Sequence, residues 1–337
     1  VRTMKNGRYS EWRIVPETEY GPRYHSGFEV LNKAYCLALN EAGALINEEG
    51  TFRTGANWPT VWTRDIAYAT HLGLGMWNVQ ACMKSLQARV RKGEVEQDTG
   101  TGGSWPISSD RVVWSVAAWE AYCLTGDGDW LLRASRVLEK TCLKDEKVLT
   151  ATGGLMRGES SFLDWREQSY PAWMTSADIG DSSSLSTMIL HAAARKMLAR
   201  MFRELGMEGK AREWDGKGEA LSGVIEKFFR IPGSDLYGQY LYGRGYPVLS
   251  EKVDSLGNML CVLLGHAHGA HAARMVAALP HCVYGIPCFH PQMPEDVAPY
   301  HNRATWPFLE GYYAQAAAAT GNECGLALAL VMYLRDH

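Results

Sequence analysis

The sequence predicts an all-α protein, an (α/α)6 toroid of helical hairpins whose long, aromatic-rich loops gather at one end. Three observations carry this prediction. A unit of apolar helix, short Gly-containing turn and second helix recurs along the chain. Strand-like alternation of apolar and polar residues is almost absent. Between the hairpins lie long stretches rich in aromatic residues, Gly and Pro, the kind of loop that a helical scaffold uses to build a site.

Residues 1–24 are polar and aromatic, with Pro16 and Pro22, and read as an extended lead-in to a barrel over 25–337 that need not be complete at either end. From Tyr24 to Ala44 the residues Phe28, Leu31, Ala34, Tyr35 and Leu39 recur at helical spacing. Gly55 and Pro59 break the pattern over 51–63. A second helical run starts near Thr63 and, interrupted around Gly73–Asn78, reaches about Val90. The hairpin unit follows as Val112–Leu124 with Trp130–Leu138, then Leu185–Leu205 with Ala211–Phe229. It returns as Leu256–Leu264 with Ala270–Leu279 and as Thr305–Ala319 with Gly325–Leu334. Loops at 51–63, 98–110, 143–183, 230–254 and 280–303 separate these helices. The count comes to about eleven helices, near the twelve of six closed hairpins, so a closing segment is expected beyond them.

A length of 337 residues suits two domains or one large toroid, and the 46% hydrophobic and 21% charged fractions are those of an ordinary soluble globular chain. Twelve Trp and 16 Tyr suggest a cleft lined with rings. A net charge of -3, with no basic run, argues against a nucleic-acid or anionic-membrane surface, and no apolar segment is long enough to span a bilayer. The eight cysteines are scattered, mostly inside apolar runs, with no spacing that suggests zinc or a disulfide framework. No metal or cofactor is expected. Val1-Arg2-Thr3-Met4-Lys5 has no signal-peptide apolar region, and a soluble protein in a periplasmic or secreted setting is preferred.

Four stretches concentrate the residue types that chemistry needs. In Trp58-Pro59-Thr60-Val61-Trp62-Thr63-Arg64-Asp65, Thr63 can cap a helix and Asp65 suits its positive end, which makes an ordinary helix start. The same residues also make a hydroxyl-binding Arg64–Asp65 pair beside Trp62, since vicinal hydroxyls take a donor and an acceptor together. Ser104-Trp105-Pro106-Ile107-Ser108-Ser109-Asp110-Arg111 is again a loop entering a helix, with Trp105, Asp110 and Arg111 as binding candidates or as cap and ion-pair residues. The stretch from Gly158 to Trp173 sets Glu159, Asp164 and Glu167 among aromatic rings, with Arg166 beside them. Leu163 and Trp165 flank Asp164, an environment that keeps a carboxyl protonated near neutral pH. In the fourth stretch, His290 to Glu310, Glu295 lies in a loop and Glu310 one turn into a helix, so Glu295 reaches a cleft more easily as a base. His301 is a further candidate ligand or base, although a lone loop histidine is more commonly a hydrogen-bonding residue. No phosphate loop, Gly-x-Ser-x-Gly elbow or His-Glu-x-x-His motif is present.

Trp62-Thr63-Arg64-Asp65 resembles the Trp-Thr-Arg-Asp signature of glucoamylases, whose Arg-Asp pair binds the sugar at the cleaved end. Phe162-Leu163-Asp164-Trp165 lies where the broader six-hairpin glycosidases (trehalase, processing α-glucosidase and debranching-enzyme relatives) carry their general acid, with a helix from Ser184 following it. Glu295, followed by Tyr300-His301-Asn302 and Thr305-Trp306-Pro307, resembles their base-bearing loop ahead of a late Thr-Trp helix. The acid loop departs from glucoamylases in lacking Trp-Glu-Glu, which leaves Glu159 and Glu167 open beside Asp164, with Glu310 a further alternative. The expectation is an inverting glycoside hydrolase with Asp164 as acid and Glu295 as base. Arg64, Asp65, Asp110, Arg111, Arg166, His301 and Asn302 would hold the oligosaccharide, and Trp62, Trp105, Trp165 and Trp306 would stack on it. Exo action on an α-linked substrate is implied by the resemblance alone. The alternatives are an epimerase or polysaccharide lyase using His301 with Tyr300, and a sugar-binding chain without catalysis.

Overall fold

The structure, a computed structural model, describes residues 22–98, 104–164, 166–243, 245–294 and 296–336, together with the backbone of an antiparallel strand pair, β1 (Arg2–Lys5) and β2 (Arg8–Glu11). That pair falls within the stretch expected to be an extended lead-in. Helix α1 (Glu29–Ala44) comes next, then α2 (Thr63–Ala69), which runs through a π turn at Thr70–Leu74 into α3 (Gly75–Ala88). The interruption expected around 73–78 is present as non-helical backbone at Gly73 and Asn78. After the small β3 (Val90–Arg91) and β4 (Glu94–Val95) hairpin come α4 (Trp114–Thr125) and α5 (Gly128–Leu149). Gly126 turns the chain between them in a left-handed conformation, and the Asp127 carboxylate accepts from the Trp130 amide to start α5.

The middle of the chain forms two short helices, α6 (Arg166–Ser169) and α7 (Ser176–Asp181), and the two-residue β5 (Ser183–Ser184). It then enters the longest hairpin, α8 (Leu185–Glu204) and α9 (Glu208–Phe228). Strands β6 (Gly238–Tyr242) and β7 (Val248–Asp254) precede α10 (Ser255–Leu263) and α11 (Gly269–Ala278). The two-residue β8 (Phe289–His290), the short α12 (Pro299–Arg303), α13 (Pro307–Ala319) and α14 (Glu323–Asp336) complete the order.

The chain is mostly α, as expected. Helices α2, α4, α8, α10 and α13 pack one against the next as an inner ring, and α3, α5, α9, α11 and α14 lie outside them. Helix α8 is buried over almost its whole circumference, as an inner helix must be, whereas α5 and α9 carry one apolar stripe and one charged face. Small residues such as Ala193, Ala194, Ala316 and Ala317 let the inner helices approach closely. Between α1, α2, α3 and the start of α13 a groove of about 690 Å³ remains, walled by Tyr35, Leu39, Trp62, Trp77 and Phe308.

Two expectations need correction. The stretch 230–254, read as a loop, contains β6 and β7, the centre of a four-stranded antiparallel sheet in the order β5-β6-β7-β8. Strand β6 is buried on both faces, so Gly-Gln-Tyr-Leu-Tyr shows no polar alternation to betray it. The loop drawn from residue 143 starts too early, because α5 continues to Leu149 behind a charged outer face.

Turns out of the inner helices are short, while the paths into them, such as 89–113, 150–184, 229–254 and 279–306, are long. All five inner helices therefore begin at the same end of the ring, the end that carries the long loops. Among the described residues no helix is long and apolar enough to cross a membrane.

Candidate active site

Arg64, in the first turn of α2, is 6% exposed and stands at the centre of the loop end. Its Nη1 donates to Asp110 Oδ2 at 3.3 Å and its Nη2 to Asp164 Oδ2 at 2.8 Å. The backbone amides of Thr63 and Arg64, both unpaired donors at a helix start, are taken by the two oxygens of Asp98 at 2.7 Å each. Burial works against a charged guanidinium, but Asp164, Asp110, Asp98 and Asp65 around it hold its pKa well above the ordinary value. Asp65 faces the groove, and burial pushes its carboxyl up to about 6. Burial also raises Asp98, against the pull of Arg64.

The loop from Gly158 to Asp164 is fastened from three sides. Ser161 Oγ donates to Asp110 Oδ2 at 2.7 Å and shares a 2.7 Å contact with the hydroxyl of Tyr68, one turn along α2 from Arg64. The Ser161 amide donates to Ser186 Oγ and Thr187 Oγ1 donates to the Glu159 carbonyl, both from the first turn of α8. The Ser160 amide donates to the Tyr170 hydroxyl at 2.8 Å. Phe162 sits at φ +74°, a conformation that a bulky side chain adopts only when its surroundings impose it. Its ring meets Phe308 at 4.4 Å, His301 at 4.8 Å and Trp306 at 4.9 Å, and Tyr300 meets Trp306 at 4.9 Å. These rings form an aromatic wall close to Asp164.

Glu159 lies deeper, 2% exposed, and accepts from the Ser108 hydroxyl. Burial pushes its carboxyl up to about 8, with Asp164 and Asp110 adding to the shift. His301 is 2% exposed, its Nδ1 is 2.9 Å from Ser169 Oγ, and burial followed by Arg64 pushes it down to about 3. Asn302 ties down the segment ahead of it: Oδ1 accepts from the Met293 amide at 2.7 Å, and Nδ2 reaches the Met293 and Val297 carbonyls at 3.5 Å.

The structure thus brings Arg64, Asp65, Asp110, Asp164, His301 and Trp306 together, with Trp62 on the groove wall beside Asp65. Glu295 and Trp165 lie outside the described residues. Other candidates are placed elsewhere. Arg111 pairs with the fully buried Asp145 at 2.6 Å and donates to the Val95 carbonyl. Trp105 donates to the same Asp145, and its ring is met by the cations of Arg111 at 4.9 Å and Lys144 at 4.8 Å. Arg166 is spent on the Met174 and Ala172 carbonyls, and Glu167 is exposed on α6. Glu310 accepts from the Ile286 amide at 2.7 Å.

Residues that the sequence gave no reason to single out include Asp98, Tyr68 and Asp254. Asp254 caps α10 by accepting from the Gly257 amide, and burial pushes it up to about 6. No group of side chains suited to a metal ion occurs among the described residues.

No protein-family model matches the chain, and no curated protein sequence does. Solved structures do match in fold. A GH78 family rhamnosidase of Bacillus sp. GL1 has a TM-score of 0.65 at 14% identity, covering 96% of this chain and 31% of that one. A rhamnosidase from Klebsiella oxytoca with rhamnose bound has a TM-score of 0.62 at 14% identity, covering 93% of this chain and 57% of that one. A protein described as a sialidase has a TM-score of 0.63 at 12% identity, with coverages of 94% and 30%. This chain therefore spans less than two thirds of the length of each. At such identities the likeness is one of fold.

Proposed function

We propose that this chain carries the helical catalytic ring of a glycoside hydrolase, cleaving an α-linked oligosaccharide from its end with inversion. The observation that supports it best is the buried Arg64 held between Asp110 and Asp164 beside an aromatic wall. Such a set offers donors and acceptors to vicinal hydroxyls and flat faces to sugar rings. The fold similarity to two rhamnosidases and a sialidase agrees with it.

In this reading Asp164 protonates the leaving glycosidic oxygen; the neighbour that the structure gives it is the Arg64 guanidinium at 2.8 Å rather than a purely apolar surround, so the role requires substrate to part that ion pair. Glu295 deprotonates the water that attacks from the opposite face. Inversion asks for carboxyl groups roughly 6.5–9.5 Å apart. Arg64 and Asp65 hold the terminal sugar, and Trp62, Trp165 and Trp306 meet its faces. A second assignment of the acid has an observation of its own. Glu159, pushed up to about 8, holds a proton at neutral pH, but at 2% exposure it reaches a substrate only if the loop opens. His301, pushed down to about 3, is a poor base for the epimerase or lyase alternative.

The test is hydrolysis of a panel of α-linked oligosaccharides and aryl glycosides, rhamnosides included, with the first-formed anomer identified by proton NMR. Inversion is expected, with Asp164→Asn and Glu295→Gln each lowering kcat/KM by about 10²–10⁴-fold. Retention, or full activity in both variants, removes the assignment. A collapse in Glu159→Gln with Asp164→Asn near wild type transfers the acid role to Glu159.

A further inference from the structure

Beyond Asp164 the same loop runs on to an exposed tryptophan held in a fixed position. Trp173 is 59% exposed, yet the residues on either side of it are tied down. Arg166 donates through Nε to the Met174 carbonyl at 2.7 Å and through Nη2 to the Ala172 carbonyl at 3.1 Å, and the Met174 side chain is fully buried. The Trp173 ring stands 5.5 Å from that of Tyr242 on β6. From there a ladder of rings leads back to the site. Tyr242 is 6.1 Å from Tyr240, Tyr240 is 5.6 Å from Tyr170, and the Tyr170 hydroxyl accepts from the Ser160 amide in the loop that carries Asp164. Tyr170, Met174, Ile179 and Tyr240 form a small apolar cluster separate from the main core, and Tyr242 packs against it. This cluster anchors the second half of the loop to the sheet and leaves the indole outside it.

An exposed indole forgoes the stabilisation that burial would give it. A ring whose backbone is already fixed loses little freedom when a flat partner stacks on it. We infer that Trp173 and Tyr242 form a platform for the sugar units on the leaving-group side of the cleaved bond. The side is assigned from the loop itself, which carries both Asp164 and Trp173. This inference rests on Asp164 as the acid. It makes the substrate an oligosaccharide with its terminal sugar at Arg64 and its remainder reaching Tyr242, the half-buried last residue of β6.

The test uses the full chain with Asp164→Asn to prevent turnover, titrated on a printed array of α-linked oligosaccharides of two to six units. Affinity is expected to rise with length. Adding Trp173→Ala should lower the six-unit to two-unit affinity ratio about five- to tenfold, the contribution of one ring stack, and Trp173→Phe should restore most of it. An unchanged ratio in Trp173→Ala overturns the platform, as does binding to no printed glycan while Trp173 is present. Matching thermal melts of the two variants exclude misfolding. Wild-type hydrolysis is scored separately. Length-dependent binding that needs Trp173, without hydrolysis, keeps a sugar-binding platform but removes its leaving-group assignment together with the hydrolase reading. Hydrolysis with a length preference indifferent to Trp173 does the reverse.

Discussion

At Glu159 burial outweighs the Ser108 hydrogen bond, and the carboxyl is pushed from 4.5 up to about 8. Between those two values the folded chain keeps a proton that the unfolded chain has released. The protonated group's contribution is therefore complete below about pH 4.5 and is lost as pH rises towards 8, by at most about 1.4 kcal/mol per pH unit. Asp65 and Asp254, pushed from 3.8 to about 6, add slopes of the same sign lower in the range. Glu159→Gln removes only the Glu159 part. Urea unfolding from pH 5 to 8 should show the variant gaining on wild type as pH rises, and parallel curves would contradict the burial argument. Arg64 and Asp65 stood out in the sequence because they adjoin in the chain, whereas the structure gives Arg64 hydrogen bonds to the distant Asp110 and Asp164. Asp98 did not stand out, since it meets Arg64 from 34 residues away and is one acid among many in sequence. Trp105 and Arg111 show the converse: an arginine a few residues from a tryptophan looks the same on paper whether both face a sugar or each other.

The loop between α5 and α8 is held by its backbone as much as by its side chains. Gly158 has φ +146°, and a Cβ there would stand 1.8 Å from Ser109 Oγ. Gly158→Ala combines backbone strain with overpacking and is expected to cost roughly 1–3 kcal/mol. A lowered urea midpoint and a larger loss of activity should accompany it, because the displaced loop carries Asp164. A wild-type midpoint would show that Ser109 moves aside freely. This loop stood out in sequence through its density of acids and rings. The sheet beneath it did not, because a five-residue strand buried on both faces resembles any short apolar run. The ends of the hairpins were clearer, since Gly126 and Gly206 mark left-handed turns with a residue type that adopts them readily.

Over the whole molecule, ring and site draw on different ranges of sequence. Hairpins such as α8 with α9 and α13 with α14 join neighbours across short turns, which is why their periodicity alone announced the fold. Bringing all five inner helices to start at one end directs their positive ends towards the same loops, a setting that favours a concentration of carboxylates. The site itself draws on partners that no local pattern connects: Arg64 meets Asp110 across 46 residues and Asp164 across 100. That separation sets an order of events in time. Closing long stretches of chain is slow compared with pairing adjacent helices. During refolding, pulse-labelled hydrogen exchange should find the amides of α8 and α9 protected before those of Thr63 and Arg64, whose acceptor is Asp98. Simultaneous protection would remove that order. A nascent chain would then pass through a stage that is already helical, its charged centre assembled only after the frame that holds it.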